Sequence, residues 1–182
     1  MNLYKTYSFC LLILVAMTLV AISGCSHPDA CASEFCLNGG SCADGRCSCP
    51  PNFIGEHCDS CKNGYEGSDC STLSRIKFLY SGYHVSETDD HGGSGNYNSS
   101  VLVSTNQIDQ VYLLHVAGSN FTNTVAATCK GSVITIPIQK PDVGQLYIHG
   151  SGSISGGTIH LSCQIGDSLG ASLATFTSTW TR

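Results

Sequence analysis

The sequence predicts a mainly β protein: a small disulfide-rich module at residues 31–70, then an antiparallel β-barrel or sandwich of about eight strands over residues 71–182. Eight of the twelve cysteines crowd between Cys31 and Cys70. From about Lys77 onward, short runs of alternating polarity are separated by Gly, Asn, Asp and Pro. No stretch there repeats apolar residues at helical spacing over three turns. The runs recur evenly, as the strands of a meander do. A length of 182 residues and a charged fraction of 12% leave room for one or two small domains. Eight Lys+Arg against thirteen Asp+Glu, a net charge of -5, make no basic field, so no nucleic-acid partner is expected.

The N-terminus comes first. Lys5 is followed by Phe9 to Ile22, fourteen residues without a charge. A spanning helix needs about 20 apolar residues, so a secretory signal over residues 1–24 is expected and a single-pass anchor is the alternative. Ile22-Ser23-Gly24-Cys25 resembles the lipobox of bacterial lipoproteins. That resemblance implies cleavage before Cys25, a diacylglycerol on its thiol and acylation of its amine. At about 0.8 kcal/mol per buried CH₂, such an anchor is effectively permanent. Ser26, rather than Asp, follows the cysteine, which by the family's sorting rule implies the outer membrane. Residues 25–30 are then a lipidated tether. With Cys25 lipidated, ten cysteines remain in residues 26–182, an even number suited to disulfides in an oxidising compartment.

Next is the cysteine cluster, Cys31, Cys36, Cys42, Cys47, Cys49, Cys58, Cys61 and Cys70. Forty residues cannot bury enough apolar surface to offset chain entropy, and cross-links reduce the entropy of the unfolded chain instead. Eight cysteines allow about 105 pairings, and spacing does not choose among them. Leu37-Asn38-Gly39-Gly40-Ser41-Cys42 and Cys49-Pro50-Pro51-Asn52-Phe53-Ile54-Gly55-Glu56-His57-Cys58 resemble segments of EGF-like domains. The extra pair Cys61 and Cys70 resembles the fourth loop of a laminin-type EGF module. The resemblance implies Cys31–Cys42, Cys36–Cys47, Cys49–Cys58 and Cys61–Cys70. Zinc is the competing use of Cys58-x2-Cys61, but no second Cys-x2-Cys pair accompanies it. Calcium is not expected, because residues 26–30 carry one carboxylate, Asp29. The module reads as a rigid spacer.

The β domain follows, with strands expected near 78–88, 97–104, 109–117, 123–129, 132–139, 145–153, 158–166 and 172–181. A turn at Gly156-Gly157 makes paired residues sum to 313, setting Ile154 opposite Ile159 and Ile148 opposite Ile165. A turn at Lys130-Gly131 makes them sum to 261, setting Val125 opposite Ile136 and Ala127 opposite Ile134. Both registers give an apolar inside and a polar outside. Val125, Ile134, Ile136, Ile148, Ile159, Leu161 and Ile165 then fill the interior. Cys129 and Cys163 both point inward, to be bridged across the core or left as two buried thiols, with export favouring the bridge. His149 and His160 lie outside, four rows apart, too far to share a metal.

The densest set of titratable residues is His84, Glu87, Asp89, Asp90 and His91. Asp89 to Asn96 reads as a solvated hairpin loop, with His84 and Glu87 on opposite faces of the strand before it. No zincin motif or phosphate loop occurs. Tyr147 and Trp180, near strand ends, are candidates for flat binding faces. Lipobox, cysteine cluster and Gly/Thr/Ile-rich β domain together resemble surface and outer-membrane lipoproteins of Bacteroidetes-like bacteria, which imply no activity. The expectation is a non-catalytic, lipid-anchored envelope protein without metal or cofactor, whose β domain binds a protein, glycan or small ligand. The alternatives are a metal-dependent hydrolase or metal-binding protein using His84–His91, and a secreted eukaryotic EGF-type adhesion protein.

Overall fold

A computed structural model describes residues 30–118, 120–121, 123–144, 146–167 and 171–182. The expected signal segment and Cys25 lie outside these residues.

The cysteine module is three short hairpins. β1 (Ser41–Ala43) pairs with β2 (Arg46–Ser48), β3 (Phe53–Ile54) with β4 (Ser60–Cys61), and β5 (Tyr65–Glu66) with β6 (Thr72–Leu73). Four disulfides hold them, Cys31–Cys42, Cys36–Cys47, Cys49–Cys58 and Cys61–Cys70, with Cα separations of 5.8, 5.5, 5.3 and 5.3 Å. This is the pairing that the laminin-type resemblance implies. Cys58 and Cys61 belong to different bridges, so their spacing does not form a zinc half-site. The module's buried hydrophobic side chains are themselves cysteines, Cys58 and Cys70. Cross-links thus stand where a larger domain would have an apolar core.

A 3-10 turn, Ser74–Lys77, leads into the barrel. The Oγ of fully buried Ser74 accepts the Gly131 N–H at 3.0 Å. Arg75 donates to the Ser104 and Gln107 carbonyls at 2.9 and 2.7 Å. The Lys77 ammonium meets Glu66 at 2.8 Å. These contacts seat the module against one end of the second domain.

That domain is a closed eight-stranded antiparallel barrel, not a sandwich. Its strands are β7 (Tyr80–Asp89), β8 (Ser94–Val103), β9 (Gln110–Leu113), β10 (Val125–Lys130), β11 (Val133–Gln139), β12 (Tyr147–Ser155), β13 (Thr158–Gly166) and β14 (Ser172–Thr181). Each pairs with the next, and β14 pairs with β7 to close the ring. The connections after β8, β10 and β12 lie at the module end. Those after β7, β9, β11 and β13 leave from the opposite, distal end.

The interior is filled by side chains. All seven expected inward residues are buried, with Val125, Ile134 and Ile148 wholly so. Phe78, Tyr83 and Trp180 seal the module end; the Tyr83 and Trp180 rings meet edge-on at 5.9 Å, and the Trp180 indole donates to the Ser178 Oγ. Trp180 is therefore core and not a binding face. Gly150 and Gly152 of β12 bring its backbone close to β13. A Cβ on Gly152 would collide with the His160 carbonyl and come within 2.9 Å of the Leu161 Cα. The tight coil of a small barrel needs such positions.

Several expectations are corrected. The β12–β13 register sums to 313 as expected, with φ of 58° at Gly156 and 85° at Gly157. The β10–β11 register sums to 263 instead, pairing Lys130 with Val133 and Cys129 with Ile134. Gly131, with φ of 58°, takes the first central position of the turn rather than the second, as a type II′ turn requires. The slip is two residues, so the same side chains still face inward. Cys129 and Cys163 are free, buried thiols and not a disulfide. β11 and β12 stand between their strands, and three strand spacings of about 4.8 Å exceed the reach of a disulfide. β8 begins at Ser94, not residue 97, because Ser94 and Gly95 pair with Thr88 and Glu87. β9 stops at Leu113, short of residue 117, because His115 and Ala117 turn to φ of 45° and 55°.

Candidate functional site

The distal end carries the one inward-facing carboxylate among the described residues. Alternation along β7 points Tyr83, Val85 and Glu87 inward, and His84, Ser86 and Thr88 outward. Glu87 is only 4% exposed, so it is not the accessible rim group that its neighbours Asp89 and Asp90 suggest. Its Oε2 accepts the Tyr97 hydroxyl at 2.9 Å, and the Ala117 and Gly118 N–H groups also bond the carboxylate. Burial raises the Glu87 pKa above its ordinary value, although these donors pull it back. Burial, followed by the Glu87 charge, raises the Tyr97 phenol.

The two amides come from the segment after β9. Val116, Ala117 and Phe121 of this segment are buried against the core and plug the distal mouth. Positive φ at His115, Ala117 and Gly118 turns the segment here, and the Ala117 and Gly118 amides stabilise the Glu87 charge. The left-handed conformation costs non-glycine residues about 1–3 kcal/mol each, which the carboxylate contacts offset. Glu87 is thus a latch holding the plug. Beside it opens a hollow of about 620 Å³ lined by Glu87, Asp89, Asn96, Tyr97, Asn120 and Phe176.

Asp89, Asp90 and His91 bring ligand atoms within 4.8 Å of one another. One oxygen of each carboxylate already has structural partners. Asp89 Oδ1 accepts the His91 and Gly93 N–H groups at 2.9 and 2.8 Å. Asp90 Oδ1 accepts the Thr175 N–H at 3.0 Å and lies 3.0 Å from His91 Nδ1. The Thr175 bond and the imidazole hold the Asp90 carboxyl below the usual carboxylate range. The loop is a solvent-exposed hairpin turn, as expected, and these bonds close it tightly. His84 is not part of the cluster; its Nδ1 sits 2.7 Å from Asn98 Oδ1 on the outer wall.

A second hollow, about 240 Å³, lies on the outside near the distal rim, lined by Ile138, Tyr147, His149, Gln164 and Ile165. Its shape comes from Pro137. Proline cannot donate to a ladder inside a sheet, so β11 bulges between Ile136 and Gln139. The Gln139 side chain fills the gap: its amide donates to the Ala126 carbonyl at 2.6 Å, and its oxygen accepts the Ala126 N–H at 2.9 Å. The bulge leaves Ile138 73% exposed beside Tyr147. The Lys140 ammonium sits 5.8 Å from the centre of the Tyr147 ring. Of the two aromatic faces expected from sequence, Tyr147 alone stands at a surface site. His149 pairs across with Gln164 and His160 with Ser153, so the two imidazoles are four rows apart, as expected.

The sequence reading missed Tyr97, Gly118, Phe176 and Gln139. Tyr97 was within reach: Val85 pairs with Tyr97 and Glu87 with Gly95, so an inward Glu87 has Tyr97 as its diagonal neighbour. Nothing local in the sequence places Gly118 against β7.

No protein-family model matches the chain, nor does any curated protein. Two solved structures are similar in outline. A redesigned β-barrel shares 15% identity, covering 62% of this chain and 97% of its own, with a TM-score of 0.45. EF1p2_mFAP2b bound to DFHBI shares 14%, covering 60% and 97%, with a TM-score of 0.41.

Proposed function

We propose that the chain is a non-catalytic binding module, held at the outer membrane through Cys25 and raised from it by the EGF-like spacer. The observation that supports this reading is the polarity of the assembly. The module and the barrel's sealed end adjoin, so the plugged distal mouth and the walls are left for a partner. The barrel core is packed, which moves a binding site to rim or wall. The buried Glu87 is satisfied by donors from the plug and Tyr97, as a structural latch is. Detergent-phase partitioning of wild type and Cys25→Ala tests the anchor. Wild type is expected in the detergent phase and the variant in the aqueous phase with an unchanged circular dichroism spectrum. Equal partitioning of the two would remove the lipoprotein reading.

The metal-site reading keeps one observation, the proximity of Asp89, Asp90 and His91. Elemental analysis of the purified chain decides it. A stoichiometric divalent ion, lost on joint replacement of those residues by Ala, would favour it over the binding module.

A further inference from the structure

Five consecutive strands of the barrel wall, β12, β13, β14, β7 and β8, carry two adjacent rows of uncharged polar side chains on their outer face. Register fixes its rows. Ser151, Ser162, Thr177, Thr88 and Ser94 lie side by side across the strands, and so do Ser153, His160, Thr179, Ser86 and Asn96. Each side chain in these rows points outward, and all but half-buried Thr179 are exposed. Neighbours are spaced about 4.8 Å across strands and about 6.7 Å along them. The two rows are adjacent, and none of their ten residues is a Lys, Arg, Asp or Glu or a large apolar residue.

That composition excludes most partners by chemistry. A protein interface wants a desolvated apolar or aromatic centre. A membrane-spanning barrel turns an apolar band outward. Polyanions need cations. An ordinary solvated surface interleaves charges of both signs, roughly a quarter to a third of its residues. A regular array of hydroxyl, amide and imidazole groups complements a ligand that is itself uncharged and rich in hydroxyls. At the distal edge of the array lies the hollow of about 240 Å³, where a Tyr147 ring, with the Lys140 ammonium 5.8 Å from its centre, adjoins the His149–Gln164 pair and Asp167, whose carboxyl adds an acceptor for hydroxyl groups. It is smaller than the roughly 300–1,000 Å³ of drug-sized pockets, and suits one sugar ring against an aromatic face. Barrel strands twist by about 20–25° from one to the next, so a planar lattice such as ice or a crystalline polymer would touch only a strand or two. A flexible chain can follow the curve.

We infer that the wall from β12 to β8, with the Tyr147–His149–Gln164 hollow at its edge, binds a soluble neutral polysaccharide chain. The inference rests on the binding-module reading and names its partner class. Native affinity electrophoresis of the purified full chain tests it. The gels contain dextran, laminarin, xyloglucan or hydroxyethyl cellulose, with alginate as the polyanion. At least one neutral polymer is expected to retard the chain, with no change on adding salt, while alginate does not. Thr177→Lys and Ser162→Glu place charge in exposed strand positions, and with Tyr147→Ala each is expected to weaken retardation about tenfold. Circular dichroism of the variants checks that they remain folded. Retardation by none of the neutral polymers, or folded variants that bind as wild type does, would overturn the inference and leave the anchor test standing. A self-associating chain dissociated by Thr177→Lys would also overturn it, by making a second copy the occupant. Release of shortened glycan would instead defeat the binding-module reading itself.

Discussion

Replacing Glu87 separates its role as a latch from a role in chemistry. Glu87→Ala strands the Tyr97 hydroxyl and the Ala117 and Gly118 amides. Each abandoned buried donor costs about 1–3 kcal/mol, but water at the rim recovers part, so a loss of about 3 kcal/mol is expected. For a domain of this size that lowers Tm by about 10 °C. Glu87→Gln behaves differently. Its carbonyl can accept the two amides while its NH₂ donates to the Tyr97 oxygen, so near neutral pH it should cost less than about 1 kcal/mol. The two variants also differ in pH dependence. Burial raises the Glu87 pKa from its ordinary 4.5, so between 4.5 and the raised value the native state binds more protons than the unfolded one. Wild-type stability therefore falls as pH rises through that window, by at most about 1.4 kcal/mol for each pH unit the window spans. Glu87→Gln lacks the falling limb, so its stability relative to wild type improves with pH. The depressed carboxyls of Asp69 and Asp90 act with the opposite sign, below about pH 4, and cancel in the difference. Urea melts followed by circular dichroism between about pH 4 and about pH 8 measure both effects. A Glu87→Ala protein within about 0.5 kcal/mol of wild type, or a Gln variant parallel to wild type at every pH, would refute the latch.

The buried Cys129 and Cys163 thiols, each pushed up to about 12 by burial, should resist alkylation in the native state near pH 8 or so and react only in denaturant; rapid native labelling would show an open interior. Joint replacement of Cys61 and Cys70 by Ala opens a loop with a sequence separation of 9 and should destabilise the module by about 2.5 kcal/mol, measured by denaturation with the other bridges intact. Gly152→Ala drives a methyl into the β13 backbone and should cost about 3 kcal/mol or more, to the point of insoluble expression, whereas Ser153→Ala beside it should be neutral. Joint replacement of Asp89, Asp90 and His91 by Ala removes the bonds that close the β7–β8 turn and should lower the melting temperature by a few degrees; no change would mean the turn is held by backbone alone.

Much of this architecture was legible because a strand's period of two leaves little freedom. Once Gly156-Gly157 is taken as a turn, every partner from Ile154–Ile159 to Ile148–Ile165 follows. The β10–β11 register shows the limit: one glycine serves either turn position, and a slip of two residues preserves the polarity pattern that would have exposed it. Inwardness of Cys129 and Cys163 was readable, but their distance depends on which strands intervene, which only closure decides. Trp180 looked like a terminal aromatic because β14 ends the barrel; its place in the core comes from β14 pairing with β7, across almost the whole domain. The Glu87 latch was half legible. Alternation turned the carboxylate inward, but its amide partners arrive through a segment whose positive φ values fall on His115 and Ala117, residues that give no such signal.

Closure by β14 also sets a condition on biosynthesis. The other neighbouring pairs are sequential and can form as the nascent chain emerges, but the ring closes only when Ser172–Thr181 arrives. Until then β7 and β13 each present an open edge to any other strand nearby, and the pocket of Trp180 beside Tyr83 stands empty. The strand that completes the core is therefore also the one that ends the period of greatest aggregation risk. A chain stopped before Ser172 would lose Phe176, Ser178 and Trp180 from the interior and keep both edges exposed for its lifetime.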